Sequence, residues 1–224
     1  MDLAKSLEFF NPADVKERIH IVGCGSVGAT IAEMLCRFGI TKITLWDFDH
    51  VSSHNIHNQI FRFKDIGKLK VDALKEIITD INPDAANDIK LKPNGWHGEN
   101  LSGIVFLAVD SIDLRRKIVE QHYNNIMIKA MFDVRTLFTG AQSFSADWTK
   151  EKMKKNLLNS MQFSDEDAES SVPVSACGVT LGLCPVVRTV CSLVVANFIN
   201  FCKGKPLQKY FTIDSFGFFM ESFE

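Results

Sequence analysis

The chain has 224 residues, 46% of them hydrophobic and 23% charged, with a formal net charge of −2 and a pI near 6.3. That is enough apolar material for a sizeable core, and far too balanced a charge for a disordered tail or a nucleic-acid footprint. Six cysteines at wide spacings, with no C-x-x-C pair, exclude a disulfide-stapled secreted scaffold. Together with a first stretch, Met1-Asp2-Leu3-Ala4-Lys5-Ser6, unlike a signal peptide, they point to a reducing cytoplasm.

In chain order, Arg18-Ile19-His20-Ile21-Val22 reads as a short buried strand and residues 29–36 as a helix. Between them lies Gly23-Cys24-Gly25-Ser26-Val27-Gly28, a G-x-G-x-x-G placed where a first strand turns into a first helix. Gly23 permits the tight turn, Gly25 lets a phosphate approach the backbone, and Gly28 lets helix pack on strand. The free N–H groups opening that helix favour an anion. A second strand, Lys42-Ile43-Thr44-Leu45-Trp46, ends in Asp47, an acid at the spacing that suits a ribose hydroxyl.

Asp49 and a polar cluster, Val51-Ser52-Ser53-His54-Asn55-Ile56-His57-Asn58-Gln59, follow at once. A nicotinamide enzyme has no use for such a cluster. Lys70 then sits inside a helical pattern of Val71, Leu74, Ile77, Ile78 and Ile81, closed by Asn82-Pro83. Gly103-Ile104-Val105-Phe106-Leu107-Ala108-Val109 reads as a buried strand with Asp110 at its carboxyl end. In open parallel sheets the ligand crevice lies at those ends, so Asp47, Asp49 and Asp110 converge there with the glycine turn. A carboxylate facing polyphosphate in that crevice suits Mg²⁺, a hard ion that prefers oxygen ligands.

Farther along, residues 112–124 suggest a helix with one charged face (Asp113, Arg115, Arg116, Lys117, Glu120), and residues 126–132 a strand leading to Asp133 and Arg135. Residues 138–144 read as the next strand, 150–158 as a short basic helix, and 163–176, rich in acid and serine, as a mobile crossover loop. Pro185 is placed to start a helix through residues 188–196. Arg188, Asn197 and Asn200 interrupt the greasy run 184–202, so a buried helix accounts for it better than a membrane span. Residues 210–219 alternate like one aromatic-rich strand at a sheet edge, a surface that could also receive a partner.

The order G-x-G-x-x-G, D-x-D, N-x-x-x-Q, Lys70 and the strand-end Asp110 resembles the ThiF/HesA/MoeB family, adenylyltransferases related to ubiquitin-activating enzymes. The likeness covers residues 15–120 and returns around 177–203. It implies one adenylation domain over 1–224, with a nucleotide-binding half (15–135) and a mixed-sheet half (136–224). The fold would be α/β and Rossmann-like, a mostly parallel sheet flanked by helices with antiparallel additions in the C-terminal half. The resemblance also implies ATP and Mg²⁺ as ligands, a homodimer, and attack on the α-phosphate by the C-terminal carboxylate of a small ubiquitin-like or sulfur-carrier protein or peptide, releasing pyrophosphate. In that scheme Gly23, Gly25 and Gly28 line the phosphates, Asp47 and Asp49 lie at the nucleotide, and Asn55, Asn58 and Gln59 approach it. Lys70 neutralises phosphate charge and Asp110 coordinates Mg²⁺.

Two departures stand out. Family members usually carry an Arg where this chain has Asn58, and the short arginine motif that a partner's N-terminal helix contributes has no equivalent in residues 1–12. Arg62 and Arg135 are the candidate substitutes, since a phosphoryl transition state needs fixed positive charge. Cys177 sits eight residues before Pro185, where many relatives carry a reactive cysteine, and is a candidate to take the acyl group or carry sulfur. No zinc is expected, because the family's paired C-x-x-C is missing; His50, His54 and His57 read as a polar loop bordering the site. The expected function is thus an ATP/Mg²⁺-dependent adenylyltransferase. The alternatives are a catalytically weak nucleotide-binding subunit or scaffold and, third, an NAD-dependent oxidoreductase.

Overall fold

The computed structural model describes residues 1–170 and 182–223, so Cys177 lies outside the described residues. Eight strands form one sheet: β1 (Ile19–Val22), β2 (Ile43–Trp46), β3 (Lys90–Lys92), β4 (Gly103–Leu107), β5 (Ile128–Thr136), β6 (Gly140–Asp147), β7 (Tyr210–Asp214) and β8 (Phe219–Phe223). Their order is β3-β2-β1-β4-β5-β6-β7-β8. β3 through β5 run parallel, and β5 through β8 are successively antiparallel. The Rossmann-like architecture with antiparallel additions is therefore as the residues led us to expect.

Six α-helices accompany the sheet: α1 (Ser26–Arg37), α2 (Lys70–Ile81), α3 (Ile112–Gln121), α4 (Glu151–Asn159), α5 (Asp165–Ser170) and α6 (Cys184–Cys202). α1 packs against both α2 and α6, while α3 meets α4 and α5. The right-handed rule for parallel crossovers puts α1 and α2 on one face of the sheet and α3 on the other. Strands covered on both faces should be apolar throughout, and every residue of β1, β2 and β4 except His20 and Thr44 is apolar or glycine, and all are buried. Phe106 of β4, Phe132 of β5 and Phe198 of α6 meet with ring centroids 4.9, 5.7 and 6.0 Å apart, which fixes α6 onto the sheet. α6 is long and apolar enough to cross a membrane by length and composition alone, yet half of its most apolar stretch is buried in the fold. Arg188 on α6 also pairs with Glu33 on α1 at 3.1 Å.

The sheet reverses direction of travel beside β1: β2 lies on one side of it and β4 on the other. That switch point, at the carboxyl ends of β1 and β4, is the place where doubly wound sheets take ligands.

Several boundaries differ from the sequence-based expectation. Residues 210–219 are not one strand; β7 turns back into β8 at residues 215–218, where the Asp214 carboxylate accepts from the N–H groups of Phe216 and Gly217 and Phe218 takes φ 51°. Side-chain alternation persists through such a turn, so periodicity alone does not reveal it. The acidic stretch expected as loop contains α5, because Ser164 caps it by accepting from Asp167 N–H at 3.1 Å. β5 runs on to Thr136, which puts Asp133 and Arg135 inside a strand rather than beyond its end. β4, by contrast, stops at Leu107, three residues before Asp110.

Candidate functional site

The glycine turn is locked by backbone contact. Gly23, at φ +94°, has no room for a side chain: a Cβ there would lie 2.6 Å from the Ala108 carbonyl. A Cβ on Gly28 would lie 1.8 Å from the Gly23 carbonyl oxygen. Gly25 is the opposite case. Its Cβ would meet nothing within 4 Å, and it is the N-cap of α1. The turn thus leaves one bare backbone face in front of a helix N-terminus, the geometry an anion needs. Cys24 between them is no nucleophile: burial pushes its thiol well above the ordinary range.

The second strand closes on this turn. One Asp47 carboxylate oxygen accepts from Cys24 N–H at 2.6 Å and the other from Asp49 N–H at 2.8 Å. Burial pushes the Asp47 carboxyl up, while the two N–H groups and Lys70 act against it. Asp49 then reaches Lys70: its carbonyl accepts from Lys70 N–H at 2.8 Å and its carboxylate from Lys70 Nζ at 2.7 Å. Val51 and residues 67–68 zip the same two segments together through Val51 N–H to Lys68 O and Gly67 N–H to Val51 O, both 2.8 Å. Lys70, buried at the start of α2, is in this way brought to the carboxyl end of β2.

The polar cluster is ordered by its own turn. Asn55, buried, accepts at Oδ1 from the N–H and the hydroxyl of Ser52, both at 2.9 Å. Asn58 Nδ2 donates to the Gly182 carbonyl at 3.4 Å, which ties the cluster to a residue two positions before α6. Gln59 Oε1 is buried and, among the described residues, has no hydrogen-bond partner. His50, His54 and His57 are exposed, and among the described residues no three His, Cys, Asp or Glu side chains gather as a metal cluster. Asp110 is exposed beyond β4, with one oxygen accepting from Ser111 N–H at 3.0 Å and, among the described residues, no ion pair.

The two candidate substitutes for the missing arginine have other partners. Arg62 donates to Asp65 at 2.8 Å and Asp80 at 3.0 Å and lies 3.7 Å from Glu76. Arg135 donates to Asp133 at 2.7 Å and to the Ser160 carbonyl and hydroxyl at 2.8 and 2.9 Å, with its guanidinium over the Phe144 and Phe163 rings. Each charge is already compensated inside the fold.

Two residues that the sequence did not single out stand beside Asp110. Arg115, read as part of a charged helix face, is buried; it donates to Val109 O at 2.8 Å and to the carboxylate of the fully buried Asp133. Asp165 accepts from Ser111 Oγ at 2.9 Å and Ile112 N–H at 2.5 Å. The one available signal was Arg115's place one turn after the strand-end acid, where a helix folds back over the strand it follows.

A family model described as "ThiF family" matches residues 14–224, nearly the whole chain. The chain belongs to the ThiF family. Curated relatives match a shorter stretch: the ubiquitin-like modifier-activating enzyme 5 of Arabidopsis thaliana is 42% identical over 66 residues, 30% of this chain and 15% of that protein. The same-named enzyme of Bombyx mori is 39% identical over 79 residues, 35% of this chain and 20% of the relative. The matched stretch therefore spans no more than a fifth of those two proteins. Among solved structures, E. coli MccB crystallised with ATP superposes with a TM-score of 0.74 at 18% identity, covering 95% of this chain and 65% of that one. PaaA superposes at 0.70 with 18% identity, covering 100% and 68%. Both likenesses show the fold; this ThiF-family chain spans about two thirds of each.

Proposed function

We propose that this ThiF-family chain binds ATP with Mg²⁺ and adenylates the C-terminal carboxylate of a ubiquitin-like or sulfur-carrier protein or peptide. The carboxylate oxygen would form a bond to the α-phosphorus as the bond to the pyrophosphate oxygen breaks, giving an acyl adenylate. The observation that carries this reading is the pairing of a bare Gly25 face with Lys70, a cation held at the same strand ends by Asp49. The chain's polar groups also fit the nucleotide: Asp47 is immobilised where a ribose would sit, and Gln59 Oε1 is a buried acceptor in the same cluster that has no hydrogen-bond partner among the described residues. Asp110, exposed and with no ion pair among the described residues, fits a cation that keeps several of its waters, and such a cation supplies positive charge to the polyphosphate when bound. The likenesses support it: MccB was crystallised with ATP and, separately, with MccA, and the matching curated relatives are ubiquitin-like modifier-activating enzymes.

The reading treats residues 1–224 as one adenylation unit acting in the cytoplasm as a homodimer. Cys177 is retained in it as the candidate acyl or sulfur carrier; Cys177→Ser should leave ATP binding intact and remove any thioester. A second reading, a nucleotide-binding subunit without strong catalysis, draws on the neutral Asn58 and on the compensated charges of Arg62 and Arg135. Calorimetric titration with ATP–Mg²⁺ and, separately, NAD tests both against the oxidoreductase alternative. ATP binding that Asp110→Ala abolishes supports the proposal; NAD binding without ATP binding overturns it. ATP binding with no adenylate trapped on any carrier tail would favour the second reading.

A further inference from the structure

Asp110 follows β4 by three residues of irregular chain, and its own side chain holds only to Ser111 N–H among the described residues. A carboxylate so placed needs its backbone fixed from outside if it is to meet a ligand at a set distance. Two long-range contacts do this. On the upstream side, Arg115 donates through Nε to Val109 O at 2.8 Å, through Nη1 to Leu107 O at 3.4 Å and to Val134 O at 2.8 Å, and through Nη2 again to Val109 O. Asp133, with no exposed surface, balances the guanidinium. The last carbonyls before Asp110 are thereby stitched to β5.

On the downstream side, Asp165 accepts from the Ser111 hydroxyl at 2.9 Å, Ile112 N–H at 2.5 Å and Asp113 N–H at 3.3 Å. Burial works against its ionised form, yet these donors hold its carboxyl below the usual range. α3 does not need Asp165 for an ordinary cap, because Ser111 Oγ already accepts from Leu114 N–H at 3.0 Å. The additional acceptor comes from a residue more than fifty positions away and lands on the three residues that follow Asp110.

We propose that Arg115 and Asp165 are positioning residues for Asp110, gripping the chain immediately before and after it so that its carboxylate is presented rigidly at the crevice. The proposal rests on the metal-binding reading of Asp110. The test measures ATP affinity by calorimetry with and without Mg²⁺ in wild type, Asp165→Asn, Arg115→Lys and Lys154→Ala. Asn at 165 keeps the shape but loses the negative charge and the oxygen that accepts from the Ser111 hydroxyl; Lys at 115 keeps the charge opposite Asp133 but loses the fork. Lys154, which ties α4 to Tyr123 O at 3.1 Å and touches neither Asp110 nor Asp165, is the structural control. Asp165→Asn and Arg115→Lys should each lower the Mg²⁺-dependent gain in ATP affinity about tenfold or more, leaving metal-free affinity within about twofold. Lys154→Ala should lower thermal stability and leave the gain intact. A wild-type gain that Asp165→Asn fully retains overturns the clamp alone. A wild type with no gain from Mg²⁺ overturns the clamp together with the assignment of Asp110.

Discussion

Two glycines of one motif should fail in opposite ways when each becomes alanine. At Gly28 the new Cβ would lie 1.8 Å from Gly23 O and 3.0 Å from Ile21 Cγ2, and its closest neighbour is backbone, which cannot rotate aside. Relief requires α1 and the turn to separate by on the order of 1.5 Å, given ordinary contact distances. Overpacking of this kind costs typically ~1–3 kcal/mol or more, against ~1 kcal/mol returned by alanine's helix preference. For a backbone clash the upper end applies, so the net loss is about 2 kcal/mol, or roughly 4–8 °C in melting temperature for a chain of this size. At Gly25 nothing lies within 4 Å and φ is −75°, which any L-residue accepts. Gly25→Ala should therefore melt within about 2 °C of wild type, yet bind ATP–Mg²⁺ at least about tenfold more weakly, roughly 1.4 kcal/mol, because the methyl stands where the phosphates approach. Circular-dichroism melting and calorimetric titration read the two effects separately. A Gly28→Ala protein as stable as wild type, or a Gly25→Ala protein with wild-type ATP affinity, would refute the division of labour between these glycines.

Further outcomes follow from other contacts. His20 Nδ1 accepts from Trp46 Nε1 at 3.1 Å, and burial, helped by the charges of Arg18, His122, Lys90 and Lys92, lowers its pKa from 6.5 to about 4. The unfolded chain then binds the extra proton first as pH falls, so this contribution is whole above pH 6.5 and lost progressively toward pH 4, up to roughly 3 kcal/mol. His20→Gln, which keeps an acceptor for Trp46, should flatten the slope of stability against pH in that window; an unchanged slope would remove His20 as its source. Lys70→Met should keep the fold, since the Asp49 left behind is half exposed, but weaken ATP binding or turnover by about a hundredfold; an effect under threefold would take Lys70 out of the site. Asp133→Asn leaves the buried Arg115 without its counter-charge and should cost about 3–5 kcal/mol, read as a lower urea midpoint at constant m-value.

How much of this was legible depended on the range of the interaction. The end of α2 was readable because its signals are local: an apolar period ending at Asn82, whose side chain caps the following turn by accepting from Asp84 N–H. The glycine turn, the acids at the ends of β2 and β4 and Lys70 were likewise visible, since each is defined by its distance along the chain from a strand end. What escaped was set by partners far apart in sequence. Nothing near Arg62 shows that α2 will return Glu76 and Asp80 to it, and nothing near residue 165 shows that its carboxylate will sit on α3. β3 is three residues, two of them exposed lysines; edge pairing to β2 makes it a strand, and its composition does not. β8 is exposed along its whole length, so no buried face imposed a period that would separate it from β7.

Asp47 carries a consequence for the thermodynamics of recognition. Both of its oxygens are engaged by backbone N–H groups before any ligand arrives, one from the glycine turn and one from its own strand's continuation. A carboxylate held this way has no rotamers left to lose, which spares the complex about 0.5–1.5 kcal/mol of ordering. Its remaining lone pairs already point in a set direction, so in the proposed nucleotide complex hydroxyl spacing on the sugar would be measured against a rigid gauge. Lengthening that arm by one methylene would forfeit the gauge even though the charge survives, and selectivity between ribose and deoxyribose would fade before affinity did.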